Sequence, residues 1–296
     1  MARRTPFTLV VAATVVAALG LLVPQALARP EGAARFSFPP AAPGPSASPS
    51  SSETFSGGTG GGRAVTVNVG FTGEFFGWAL RDRASGTVTG ANTGQTSSTE
   101  SMIKTWLVAD FLRTHDDPGD DDLRRASEAI RWSDDDAAQT IYETMGGDAS
   151  IQRLIGMCAL EDTTVHSGWW SRTQMSPRDA LKLAECLADG TAAGPQWTPW
   201  LLGEMRHVEG TADPGDQQAT RGGGRWGIID GVPAEVAPLV ALKNGWTDIS
   251  ADGNWHLNCL AFTDEWSLSV MLRYPSDQGL SYGAGICRDV ARQLLS

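Results

Sequence analysis

Between Arg63 and Ser296 the spacing of apolar side chains changes period three times, and that order of periods restricts the fold more than anything else in the chain. Ala64–Val69 and Phe75–Leu80 read as two strands across a Gly-containing turn. Helical spacing then takes over. Ser98–Arg113 carries polar capping candidates followed by Met102, Ile103, Trp106, Leu107 and Phe111 on one face. Asp121–Trp132, Asp136–Met145 (stopped by Gly146-Gly147) and Ala149–Cys158 follow, then Ser176–Asp189, which has a Ser cap, Pro177 in the first turn and Gly190 as its stop. Strand spacing returns at Pro238–Trp246, Asn254–Phe262 and Trp266–Tyr274, and an amphipathic helix, Tyr282–Leu295, closes the chain. Two strands, a helical middle, three strands and a last helix predict an α+β fold, a five-stranded antiparallel sheet flanked by helices. With 296 residues, 41% of them hydrophobic, the chain suffices for one large domain and no second.

The N-terminus reads differently. Arg3 and Arg4 precede an apolar run from Phe7 to Val23, and Ala26-Leu27-Ala28 offers small residues for cleavage, so residues 1–28 are expected to be an export signal. At this length the run also allows an uncleaved N-terminal membrane anchor; nothing suggests a multi-span membrane protein. Residues 29–62 are Ala, Pro, Ser and Gly with hardly an aliphatic side chain, which predicts a disordered linker. The folded domain is expected over residues 63–296, in the extracytoplasmic or cell-wall space. Four cysteines in an oxidising compartment favour disulfides. Three pairings are possible; Cys158–Cys186 with Cys259–Cys287 is preferred because each pair joins elements of one local substructure.

A formal charge of −11 argues against nucleic acid as a partner, since phosphate binding needs clustered Lys and Arg. The acidic run Asp116–Asp122 lacks the alternating ligands of a calcium loop. His115, His166, His207 and His256 have no metal-ligand spacing. No metal and no cofactor is expected.

The basic residues are 20 Arg and three Lys: Lys104, Lys182 and Lys243. Arg keeps its proton in a protein, whereas a desolvated Lys, or one beside another cation, can release it. Lys104 lies one helical turn after Ser101, on the same face. A serine hydroxyl needs a base to become a nucleophile, and at an ordinary pKa only roughly one lysine in two thousand is neutral at pH 7, so such a site must depress it. Trp169 and Trp170, in the loop before Ser176, are candidates to line a cleft for sugar or peptide.

Ser101-Met102-Ile103-Lys104, Ser133-Asp134-Asp135 and Lys243-Asn244-Gly245-Trp246, in that order, resemble the Ser-x-x-Lys, Ser-Asp-Asn and Lys-Thr-Gly motifs of penicillin-recognising enzymes, the class A β-lactamase and D-alanyl-D-alanine peptidase superfamily. The resemblance spans about residues 64–296. It implies a β-lactamase/DD-peptidase-like fold with a reduced helical subdomain, because the interval from Ser101 to Ser133 is short. It implies a monomer acting on a β-lactam or a peptidoglycan stem peptide. Ser101 would carry the acyl group with Lys104 as base. Ser133 would pass a proton to the leaving nitrogen, and Lys243 would hold the substrate carboxylate and bias that path. Asn244 would also contact the carboxylate, and the N–H groups of Ser101 and Trp246 would form the oxyanion hole.

Two departures bear on activity. Asp135 replaces a neutral Asn with an anion, which puts substrate amide contacts in doubt. The loop between Cys158 and Ser176 lacks the Glu-x-x-x-Asn signature that positions a deacylating water; Glu161 and Asp162 are its only carboxylates. The expectation is an exported serine hydrolase with slow deacylation. The alternative is a catalytically inactive wall-associated binding protein of the same fold. A sugar-binding module with an accidental Ser-x-x-Lys explains neither the second motif nor the third.

Overall fold

The computed structural model describes residues 53–57, 65–219 and 222–296. The expected signal, and the expected linker apart from residues 53–57, lie outside the described residues. In chain order the elements are β1 (Glu53–Gly57), β2 (Val65–Val69), β3 (Phe75–Asp82), β4 (Val88–Ala91), β5 (Ser97–Ser98), α1 (Lys104–Thr114), α2 (Asp120–Arg131), α3 (Asp135–Thr144) and α4 (Asp148–Met157). Then come β6 (Gln174–Met175), α5 (Pro177–Ala188), α6 (Gly194–Arg206), α7 (Pro214–Ala219), β7 (Ala241–Leu242), β8 (Gly245–Ile249), β9 (Asn254–Phe262), β10 (Trp266–Pro275) and α8 (Gly279–Leu294).

The main sheet is antiparallel, in the order β4-β3-β10-β9, with β7 and β8 sharing the far side of β9. β7 pairs with Phe262 and Ala261, and β8 pairs with residues from Asn258 to Asn254, so the two are halves of one edge strand interrupted at Lys243-Asn244. The five-position sheet flanked by helices matches the expected architecture. Nearly every residue of β9 and β10 is buried, on both faces, because α5 packs against β3, β9 and β10 while α8 packs against β2, β9 and β10. Cys259 in β9 is bonded to Cys287 in α8, and Cys158 at the end of α4 to Cys186 in α5, the preferred pairing.

Three local readings are corrected. β2 does not pair with β3; it pairs with β1, which lies inside the stretch expected to be linker. The burial pattern supplies the reason: β2 alternates and is half-buried, whereas β3 is buried continuously from Phe75 to Ala79 and takes a central place between β4 and β10. The expected strand Pro238–Trp246 is split, beginning as a 3-10 turn at Ala237–Leu239 and breaking again between β7 and β8. α6 was not expected, because Gly194, Pro195 and the internal Pro199 mask its periodicity.

Candidate active site

The segment before α1 is a 3-10 turn, Glu100–Ile103, that runs directly into the helix and presents Ser101 beside the fully buried Lys104. Glu100 takes a left-handed φ of 48°, a conformation costly for a side chain with a Cβ. Ser133 shows the same strain, with φ 57°, in the tight link between α2 and α3. Asp134 fixes that link by capping α3, accepting from Ala137 N at 2.8 Å. The result turns Ser133, only 8% exposed, inward towards both lysines. Lys243 arrives from the break in the edge strand, also fully buried.

These groups converge. Lys243 Nζ donates to Ser133 Oγ at 2.8 Å and to Asn244 O at 2.9 Å. Lys104 Nζ lies 3.3 Å from Ser133 Oγ, 2.5 Å from Ser133 O and 2.6 Å from Asp135 Oδ1. Burial pushes both lysines below their ordinary pKa. For Lys104 the charge of Asp135 and its hydrogen bond pull the other way, towards the ammonium form. For Lys243, burial and then the charge of Lys104 act together, and Asp135 opposes them less. Among the described residues no carboxylate lies within ion-pair distance of Lys243. Two amines of unequal basicity therefore flank one hydroxyl, which is an arrangement able to pass a proton.

Ser101 lines a cavity of about 320 Å³, and its hydroxyl makes no hydrogen bond to any described residue; Asp135, Trp169, Trp170 and Trp246 also line it. A larger groove of about 570 Å³ lies over the Cys158–Cys186 disulfide and contains none of the three motifs. The start of β8 closes tightly on the Ser101 turn. A Cβ at Gly245 would stand 2.5 Å from Thr99 O, 2.6 Å from Met102 N and 2.8 Å from Ser101 N, so only glycine permits this approach.

Of the sequence-predicted site residues, Ser101, Asp135, Trp169, Trp170 and Trp246 line the cavity, Ser133 joins Lys104 and Lys243, and Gly245 packs on the Ser101 turn; Asn244 is turned elsewhere. Asn244 Nδ2 donates to Gly224 O and Trp226 O, at 2.8 and 2.7 Å, so both amide protons hold the loop behind it rather than facing a ligand. Glu161 and Asp162 are likewise committed elsewhere: Asp162 accepts two bonds from Arg178, at 2.5 and 2.6 Å, and Glu161 pairs with Lys182 at 2.9 Å. Neither lines the Ser101 cavity.

Sequence reasoning missed Glu100. Its carboxylate, 2% exposed, accepts from Ser98 Oγ and from Thr247 Oγ1, each at 2.6 Å, and so ties the Ser101 turn to β8. Ser98 Oγ also meets His256 Nδ1 at 2.7 Å, and His256 Nε2 meets Asp252 at 2.8 Å. The signal available in the sequence was slight: one Glu ending a run of small hydroxyl residues, Ser97-Ser98-Thr99, immediately before Ser101.

No family model matches the sequence, and neither does any curated protein. Solved structures do match. An ancestral (GNCA) class A β-lactamase is 17% identical with a TM-score of 0.57, covering 75% of this chain and 94% of that one. PBP-A, also 17% identical, gives a TM-score of 0.58 over 76% of this chain and 89% of that one. A PBP-A variant seen as its acyl-enzyme complex with penicillin G aligns over 74% of this chain and 88% of that one, at 17% identity and a TM-score of 0.57. With its antiparallel sheet between helices, this protein has the fold of the class A β-lactamases and of PBP-A.

Proposed function

We propose that this protein is an exported serine hydrolase, acylated at Ser101 by β-lactams or acyl-D-Ala-D-Ala wall peptides, with slow release of the acyl group. One observation carries the reading: two buried lysines meet at the Ser133 hydroxyl beside an open serine. In the proposed step Lys104, in its neutral form, takes the Ser101 proton as Oγ attacks the carbonyl, and the N–H groups of Ser101 and Trp246 receive the developing oxyanion. The C–N bond then breaks as the proton returns to the leaving nitrogen through Ser133, which Lys243 orients. Slow deacylation follows from Glu161 and Asp162 being held by Lys182 and Arg178, since a missing base typically costs about 10² to 10⁴ in rate.

A second reading, an inactive wall-associated binding protein, is favoured by one contact: Lys104 is paired with Asp135 rather than with Ser101. A fluorescent penicillin, intact mass and peptide mapping separate the two. The enzyme reading expects an adduct on Ser101 that Ser101→Ala abolishes and Lys104→Ala slows by at least about a hundredfold. A protein that stays unlabelled yet binds wall fragments establishes the second reading.

A further inference from the structure

Glu100, Ser98, His256 and Asp252 form a chain of three short contacts that runs from the cavity to the surface. Glu100 lines the cavity and is 2% exposed, Ser98 is equally buried, and the Asp252 side chain at the far end is 42% exposed. The order Asp, His, Ser is that of a hydrolase triad. Here, however, the serine hydroxyl is enclosed between His256 and Glu100, where it can transmit a change but cannot attack a substrate.

The contacts can be counted in protons. The Ser98 hydroxyl has one, and two acceptors compete for it: Glu100 Oε1 at 2.6 Å and His256 Nδ1 at 2.7 Å. An ionised carboxylate only accepts hydrogen bonds. Ser98 therefore serves Glu100 undisturbed only while Nδ1 carries a proton of its own and donates it to Ser98 Oγ. Which nitrogen of a neutral imidazole keeps the proton is set by what the other one meets. Asp252 Oδ2 lies 2.8 Å from Nε2, and Oδ1 of the same carboxylate accepts from Asn254 N at 3.0 Å, so the neutral ring holds its proton at Nε2 and bares Nδ1.

The other surroundings offer no substitute. The cross-strand neighbours of His256 are Thr247 and Arg273, the latter paired with Glu74, and Arg172 stands 3.6 Å from Glu100 Oε1, beyond hydrogen-bond distance. Among the described residues the remaining hydrogen-bond donor to Glu100 is Thr247, whose hydroxyl also lies 2.7 Å from Trp246 O.

We propose that His256 is a positioning residue for Ser101: with a proton on Nδ1 it leaves the Ser98 hydroxyl to Glu100 and holds the strained turn, and without one it takes that hydroxyl and loosens the turn. The inference rests on Ser101 being the nucleophile.

The rate of Ser101 acylation by a fluorescent penicillin, measured from pH 5 to 10, tests this. The wild-type profile is expected to carry a falling limb of about fivefold, the loss of one hydrogen bond to the turn, superposed on the rise from Lys104. In Asp252→Asn, at the exposed end, the carboxamide can donate to Nε2, so the neutral ring keeps its proton on Nδ1 and the falling limb is expected to vanish. Ser98→Ala is expected to be slower at every pH and to lack the limb, because Glu100 has lost the same donor throughout. A wild-type profile with no falling limb, or a limb that Asp252→Asn leaves in place, overturns the switch while labelling of Ser101 keeps the nucleophile. No labelling of Ser101 overturns the nucleophile and the switch together.

Discussion

Lys104 is subject to two opposed influences. Burial favours release of its proton, and Asp135, at 2.6 Å, favours keeping it. Because only the neutral amine can accept the Ser101 proton, acylation is expected to rise with pH as Lys104 deprotonates. Removing the anion lowers the pKa of that lysine further, so in Asp135→Asn the rising limb of the pH–rate profile should move to lower pH. Acylation at pH 7 should then increase about tenfold or more. Stopped-flow acylation from pH 5 to 9 checks both; an unchanged limb would mean that Asp135 does not govern Lys104. The position of this lysine was legible in the sequence, from three Lys among 23 basic residues and a one-turn spacing from Ser101. Its partner was not. In the folded chain it donates to Ser133 and Asp135, and both contacts depend on where α3 begins and on the left-handed turn at Ser133.

The junction between β8 and the 3-10 turn before α1 sets the position of Ser101, the proposed nucleophile. Gly245 abuts three backbone atoms of that turn, and Glu100 bonds across the same seam to Thr247. Backbone cannot step aside as a flexible side chain can, so Gly245→Ala must push the strand and the turn apart. Overpacking of this kind costs about 1 to 3 kcal/mol. The expected result is a folded protein with a lower urea midpoint and acylation at least tenfold slower, measured by urea titration and penicillin labelling; unchanged acylation would show that the seam is slack. At this scale the sequence was read correctly where one helix face or one cap carries the signal, as in α5 with Ser176 and Pro177. It was misread where two strands of similar composition compete, since β2 and β3 differ in what covers them rather than in how they begin.

Across the molecule, the two disulfides join α4 to α5 and β9 to α8, each closing a sequence separation of 28 residues. Bonds of this kind persist in oxidising compartments, which accords with the proposed export. A loop of that length contributes about 3.5 kcal/mol by restricting the unfolded chain. Replacing Cys158 and Cys186 together by Ala is therefore expected to lower the melting temperature by about 10 °C while Ser101 remains reactive, by calorimetry and penicillin labelling. A loss of labelling without a fall in melting temperature would assign that disulfide to the site rather than to stability. Among the described residues no helix is long and apolar enough to cross a membrane. By itself the sequence determined the longer helices and the central strands, the preferred cysteine pairs and the residues proposed as reactive, because periodicity, spacing and residue chemistry are properties of the chain before it folds. Only the tertiary structure decided that Asp135 holds Lys104, that Asn244 faces away from the cavity and that Glu100 bonds to β8. Each of those outcomes is a competition among hydrogen-bond partners distant in sequence, and proximity and burial, which decide it, exist only in the folded molecule.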